Sequence, residues 1–281
     1  MKKGRKEKSS GTEKEIGRDF DFIIRESESE YREKAKAHLT SHALADFRRC
    51  PLLYWKKKQG LVADEDRPAY LIGQAAHSLI LEGIEKFEAE YAVGGPINEK
   101  TGKPYGPQTK AYANWAVAIG KAVLTDDHHR LITCMAASVN THPVAVELLA
   151  DGTPEAVVRA EYCGMPCQAR IDFLNPERGI IDLKTCDDLT WFEADARRFG
   201  YAHQFCFYQS VLAQATGEVF PVHVIAVEKK EPFRCGVWQM SEQTLATAQR
   251  ENEAAVERLK QCKILNSWPT GYEEVRFLDY V

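Results

Sequence analysis

Several things are missing from this chain, and each absence narrows what it can be. No apolar run approaches the roughly 18–20 residues needed to cross a bilayer. The basic start MKKGRKEKSSGTEKE has no apolar stretch behind it of the kind a secretory leader carries, so a cytoplasmic protein is expected. There is no C-x-x-C pair among the eight cysteines, and the single C-x3-C spacing, Cys163 and Cys167, has no second pair to match it. That pattern speaks against a zinc or iron–sulfur centre and fits small buried thiols in a reducing compartment. No G-x-x-x-x-G-K-[S/T] loop occurs, which excludes an ATP-driven motor of the P-loop type. No internal repeat is visible, and basic excess is lacking too. With 37 basic against 41 acidic residues the net charge is −4, unlike a protein that coats nucleic acid but compatible with an enzyme that acts on it.

What remains is enough for one sizeable domain. Hydrophobic residues make up 44% of the 281, so a substantial core can form over residues 19–281. Residues 1–18 carry seven Lys/Arg and three Asp/Glu with almost no apolar residue, and a disordered basic tail is expected there. Helical spacing marks residues 39–58, with a break near Pro51, and then 68–91, where Leu71, Ile72, Ala75, Leu79 and Ile80 share a face. GGPINEKTGKPYGPQ (94–108) reads as a loop, followed by helices over 108–124 and 126–150. The period then changes to two. Residues 157–162 and PCQARIDFL form a hairpin about a Gly164-Met165 turn, and IIDLKT (180–185) is a third strand. Helices over 189–199 and 202–216, strands near 219–228 and 233–240, and a helix from Glu242 to Cys262 capped by Ser241 complete an α/β order.

The chemistry-bearing residues gather around the third strand. In a strand, side chains i and i+2 lie on one face roughly 6–7 Å apart, so Asp182 and Lys184 project together while Ile181 and Leu183 point to the core behind them. The neighbouring antiparallel strand can add Asp172 to that face. Two carboxylates and an ammonium suit phosphodiester hydrolysis: the acids hold a divalent cation against the phosphate, and the cation on the lysine orients water and offsets developing charge. Read from the residues alone, the same pattern also fits a surface ion pair between Lys184 and either aspartate.

D-(x)9-D-x-K with its second Asp in an apolar strand resembles the signature of the PD-(D/E)XK nuclease superfamily. Gly73-Gln74-Ala75-Ala76-His77 is similar to the G-x-x-x-H helix of RecB-type nucleases, and Gln204-Phe205-Cys206-Phe207-Tyr208 to their Q-x-x-x-Y helix. SHALADFRRCPLLYWKKK and the spacing through RPAYLIGQAAHSLILE resemble RecE-like exodeoxyribonucleases of the exodeoxyribonuclease VIII type, over residues from about 30 to 275. Asp172 follows Ile171 instead of a proline, a position that is loose in this superfamily.

The resemblance implies a restriction-endonuclease-like α/β core, a central mixed sheet flanked by helices with a helical elaboration at the N-terminus. It implies a Mg²⁺ (or Mn²⁺) site, two ions in all, with His77, Asp172 and Asp182 as ligands and Lys184, Asp172 and Asp182 as catalytic groups. Gln204 and Tyr208, four apart on one helix face, would brace the site or touch DNA; ordinary helix packing is the other reading. Arg49, with Arg48, Lys56, Lys57, Lys58, Tyr54 and Trp55, could follow a DNA backbone or simply form a solvated face. Glu161, paired with Gln168 if the turn is Gly164-Met165, lies roughly 13 Å along the strand from the partner of Asp172, a groove candidate and not a direct ligand. His128, His129 and His142 lack carboxylates at a ligand spacing. The implied function is ATP-independent, 5′-to-3′ degradation of one strand at double-stranded DNA ends, by a ring-like homo-oligomer that hands single strands to an annealing recombinase in phage recombination. The alternatives are an endonuclease, a nuclease subunit of a repair complex, or a non-catalytic module that binds DNA ends.

Overall fold

The computed structural model describes residues 22–63 and 68–277; the expected basic tail lies outside them. Its centre is a five-stranded sheet in the order β3 (Thr153–Tyr162), β4 (Met165–Asn175), β5 (Gly179–Cys186), β6 (Val222–Glu228), β7 (Cys235–Gln239). Every pairing is antiparallel except β5–β6, whose parallel register requires a crossover. α9 (Phe192–Phe199) and α10 (Tyr201–Thr216) supply it. The architecture is the expected mixed sheet flanked by helices. No described helix is long and apolar enough to cross a membrane.

The sheet separates two apolar layers. On one face Ile171, Ile180, Val222 and Val224 pack with α10, α11 (Glu242–Leu265) and α2 (Ser41–Arg49). On the other, Phe173, Ile181, Leu183 and Ile225 pack with α4 (Pro68–His77) and α7 (Asp126–Thr141). Ser241 caps α11 as expected, accepting a hydrogen bond from the Thr244 amide. Cys50 caps α3 (Pro51–Lys58), so the chain 39–58 is two helices, broken where Pro51 opens the second.

Three expected helices are shorter than their apolar patterns. The 68–91 segment ends its α-helix at His77, passes through one π-helical turn (Ser78–Glu82), and restarts as α5 (Ile84–Glu90) after Gly83. It then yields a three-residue strand β1 (Tyr91–Val93), which pairs in parallel with β2 (Ala122–Leu124). The 108–124 segment is therefore α6 (Lys110–Ile119), stopped by Gly120 in the left-handed region, followed by that strand. The 126–150 segment breaks at His142, which caps α8 (Pro143–Leu148) through Nδ1, accepting from the Ala145 amide. A short helix α1 (Glu28–Lys34), opened by a capping box at Ser27 and Glu30, precedes these elements.

One correction moves the site. The β3–β4 turn is Cys163-Gly164, not Gly164-Met165: Tyr162 pairs with Met165, and both turn residues have positive φ (52° and 67°), as a type I′ turn demands. The register shifts by two. Arg159, not Glu161, faces Gln168, and Glu161 faces Pro166 beside the turn.

The next turn fixes β5. Asn175 is buried, and its Oδ1 accepts from the amides of Glu177 (2.9 Å) and Arg178 (3.0 Å) while Nδ2 donates to the Leu148 carbonyl (3.1 Å) and the Ala150 carbonyl (2.6 Å). Gly179 closes that turn at φ +89°, and a Cβ there would collide with the Pro221 carbonyl. Gly102 has a similar φ of +67° with open space around it. Gly102→Ala should therefore cost about 1 kcal/mol, the backbone strain alone, and Gly179→Ala about 2–4 kcal/mol. Urea midpoints of the two variants check the ordering; equal losses would remove the collision from the account.

Candidate functional site

Asp182 and Lys184 project from the same face of β5, and Lys184 Nζ lies 2.5 Å from Asp182 Oδ2. Asp182 is fully buried, and its Oδ1 meets no hydrogen-bond donor among the described residues. The lysine is held from the other side by aromatic faces of α10, 5.0 Å from the Tyr201 centroid and 5.6 Å from that of Phe205.

Asp172 arrives because β4 and β5 part company. Their ladder covers Phe173–Asn175 against Gly179–Ile181 and goes no further, while β5 continues against β6 as far as Cys186. In the gap, Asp172 Oδ2 accepts a hydrogen bond from the Leu183 amide at 3.0 Å, replacing the lost ladder bond with a side chain. Across β4, the alternation of faces is reset at the same point: Ile171 packs in one layer and Phe173 in the other.

On the far side of Asp172 stands Glu155. The flanking pairs are Pro154 with Phe173 and Ala156 with Ile171, so Glu155 occupies the position opposite Asp172. Its φ of +53° is the left-handed region, which a side chain with a Cβ enters only at a cost of about 1–3 kcal/mol. Arg170 forms an ion pair with it. His77, the last residue of α4, comes from the other layer, and its Nδ1 lies 3.4 Å from Asp172 Oδ2. Ala75 and Ala76, both fully buried, let α4 approach this closely; a Cβ at Gly73 would still stand 3.8 Å from Thr185 Oγ1, so Gly73 is not what permits it. One ligand atom from each of His77, Glu155 and Asp172 falls within 4.8 Å of the others.

The charges at this point oppose each other. Burial pushes the Glu155 carboxyl up to about 8, with the Asp172 charge adding to it and Arg170 offsetting part. Asp182 rises to about 6, from burial and then from Asp172, against the pull of Lys184. Asp172 is raised by burial as well. Burial alone would lower Lys184, but Asp182 and Asp172 outweigh it and hold the ammonium form. Burial and the nearby Lys184 lower His77 to about 4, so its imidazole is neutral, the form that binds metals. Three carboxylates crowded about Lys184, Arg170 and a neutral imidazole still outnumber the cations, and such a site gains from a bound metal ion.

The structure thus brings His77, Asp172, Asp182 and Lys184 together and adds Glu155, which sequence reasoning missed. The signal was the turn: assigning Cys163-Gly164 as its centre counts back to Glu155 opposite Asp172. Glu161, exposed at the turn end of the hairpin, is six positions from Glu155, roughly 20 Å along the strand, and is no part of this cluster. Gln204 Nε2 donates to the Tyr208 hydroxyl at 2.9 Å, and Tyr208 is buried. Its pKa is pushed up to about 12 by burial, then by the charges of Asp182 and Asp172. Arg49 is exposed on α2 and makes no hydrogen bond or ion pair with the cluster. Arg48 instead donates to Asn252 Oδ1 on α11, Lys57 pairs with Asp46 at 2.8 Å, and Lys58 donates to the Ala35 carbonyl at 2.7 Å. His129 packs against Phe87 at 6.0 Å, away from the carboxylates, and His142 is the cap of α8.

Comparison with known proteins bears on the family and the fold. Residues 40–280 match the family described as "PDDEXK-like domain of unknown function (DUF3799)". Among solved structures, a candidate exonuclease from Eubacterium rectale superposes with a TM-score of 0.65 at 18% identity, covering 92% of this chain and 97% of that one. At that identity the likeness speaks for the fold. No curated protein matches the sequence.

The raised carboxyls make a signed pH prediction. Glu155 titrates near 4.5 when unfolded and near 8 when folded, so folding disfavours its ionised form. The penalty is absent below pH 4.5 and complete above pH 8. Without added metal, Glu155→Gln should therefore raise the melting temperature at pH 8.5 by a few degrees and change it little at pH 4.5. Thermal melts in EDTA at the two pH values check this, and an equal or inverted effect would show that Arg170 satisfies the charge.

Proposed function

The chain belongs to the family of PDDEXK-like domains (DUF3799), and from that membership we propose that it is a divalent-metal-dependent deoxyribonuclease acting at double-stranded DNA ends. One observation carries the reading: one buried and two half-buried carboxylates and a neutral imidazole converge where two strands separate, and Lys184 and Arg170 are too few to balance the acids. A structural ion pair needs one acid for one base; this cluster has a surplus of acids and an unpartnered Asp182 oxygen.

The donor set fits a small hard cation that also tolerates one imidazole, which suits Mn²⁺ and Mg²⁺. His77, Glu155 and Asp172 would hold it, with Asp182 completing the site from β5. The ion supplies charge to polarise the phosphate and lower the pKa of water. The protein's own groups do the positioning. Asp172, tied to the Leu183 amide, cannot swing away from the strand gap. Lys184, braced by Tyr201 and Phe205, keeps its ammonium where a scissile phosphate would meet it and offsets charge as the phosphoryl oxygens develop it. Tyr208, anchored by Gln204, closes the inner wall.

Within this class we favour exonuclease action of RecE type, 5′-to-3′ and without ATP, in a ring-like homo-oligomer that passes single strands to an annealing recombinase. The motif order from the α2 stretch to Gln204-Tyr208 supports it. An endonuclease, or a nuclease subunit of a repair complex, would use the same five groups.

Lys184→Ala should lower single-turnover cleavage by roughly 10²–10³-fold, as expected for one preorganised charge, and leave duplex binding in Ca²⁺ nearly unchanged. Asp182→Ala should lose both turnover and metal-dependent stabilisation. Duplexes labelled at the 5′ or the 3′ end, digested with Mg²⁺, Mn²⁺ or EDTA, report polarity and metal dependence together. Undiminished cutting in EDTA, or a Lys184→Ala protein as fast as wild type, would sink the proposal.

A further inference from the structure

The lysine at the site is the inner end of a column that reaches the surface. Its Nζ lies 5.0 Å from the Tyr201 centroid; Tyr201 stacks on Phe199 with centroids 5.9 Å and planes 30° apart; the Arg198 guanidinium sits 4.5 Å from the Phe199 centroid. Gly200, left-handed at φ 71°, makes the tight turn between α9 and α10 that sets the two rings side by side. The inner part of the column is packed: Tyr201 also meets Phe192 and Phe205, at 6.2 and 6.0 Å. The outer part is not. Phe199 is 58% exposed, and a phenyl ring left largely in water contributes little to the fold.

We infer that Phe199 is a stacking platform for one unpaired nucleobase, that of the nucleotide adjoining the phosphate held at Lys184; this rests on the nuclease reading above. Three features select that occupant over another apolar partner. The ring is continuous, through Tyr201, with the group that would contact the scissile phosphate, so a strand entering there meets it as the next nucleotide. Its rim offers guanidinium donors, with Arg197 and Arg198 both exposed at the C-terminal end of α9 and Arg198 also paired with Asp195 at 3.1 Å, which suits a phosphate backbone better than a greasy protein surface. An exposed ring stacked inward on Tyr201, with a guanidinium 4.5 Å from its centroid that an arriving base would displace, resembles the stacking platforms that bind single strands without reading sequence.

The platform acts on substrate positioning and not on the chemical step. A base stacked on Phe199 has left its partner, so ends with a frayed or overhanging nucleotide should engage better than blunt, GC-rich ones.

The test uses the full chain in Ca²⁺ and a duplex with a short overhang whose nucleotide beside the first paired phosphate is either a normal base or abasic. Both ends are tried, so polarity need not be known. Phe199→Ala should weaken binding of the base-containing end by about 5- to 100-fold and leave the abasic duplex unchanged; Phe199→Trp should retain wild-type affinity. A 2-aminopurine at that position should be quenched by wild type and not by Phe199→Ala. Equal losses on both duplexes, or none on either, would overturn the platform. So would a drop in oligomer mass for Phe199→Ala, which would make the ring a subunit contact. A wild-type chain that quenches the base yet cuts no DNA with Mg²⁺ or Mn²⁺ would refute the nuclease reading while keeping the platform.

Discussion

The site depends on two neighbouring strands separating while both stay anchored. β4 and β5 are clamped below by the Asn175–Gly179 turn and spread above it, and the Leu183 amide that the spreading orphans is taken by Asp172. That bond does two things. It satisfies a backbone donor that would otherwise be buried without a partner, and it aims a carboxylate into the opening. The left-handed backbone at Glu155 and the switch of faces between Ile171 and Phe173 belong to the same distortion, passed across the hairpin. A regular sheet would place these acids on a flat surface, apart from the helix that carries His77.

The residues of the cluster also divide labour by layer. β5 contributes Asp182 and Lys184 from a strand buried on both sides, where side-chain positions are tightly fixed. α10 braces the lysine with two aromatic rings, and α4 delivers an imidazole from the opposite side of the sheet. The π-helical turn directly after His77 lies where the helix must end one register and begin another, a common accompaniment of functional helix termini.

The parts legible in the sequence were those governed by local period. Asp182 and Lys184 share a face because strands alternate, and the apolar residues between them mark the strand. The helices over 189–199 and 202–216 and the Ser241 cap followed from spacing and capping chemistry. His77 is different: nothing local distinguishes it from a packed helical histidine, and it was found through motif resemblance alone. Glu155 was lost to a turn displaced by one residue, since Cys163 gives no hint that it will accept positive φ. The three-residue strands β1 and β2 are indistinguishable in sequence from helix ends, because short apolar runs such as Tyr91–Val93 and Ala122–Leu124 satisfy either period. The bracing by Tyr201 and Phe205 is tertiary, invisible until α10 is laid across β5.

His77 is the member of the candidate ligand trio that does not come from the β3–β4 hairpin, and it stands on a helix whose apolar neighbours form a core separate from the one behind α10 and α11. An ion bound by all three would therefore act as a rivet between the β3–β4 hairpin and the α4 layer. Occupancy would then report on assembly: a chain whose α4 layer had loosened would present two ligands instead of three and hold the cation poorly. For the deoxyribonuclease proposed above, tying activation to completed folding in this way would keep half-formed copies harmless.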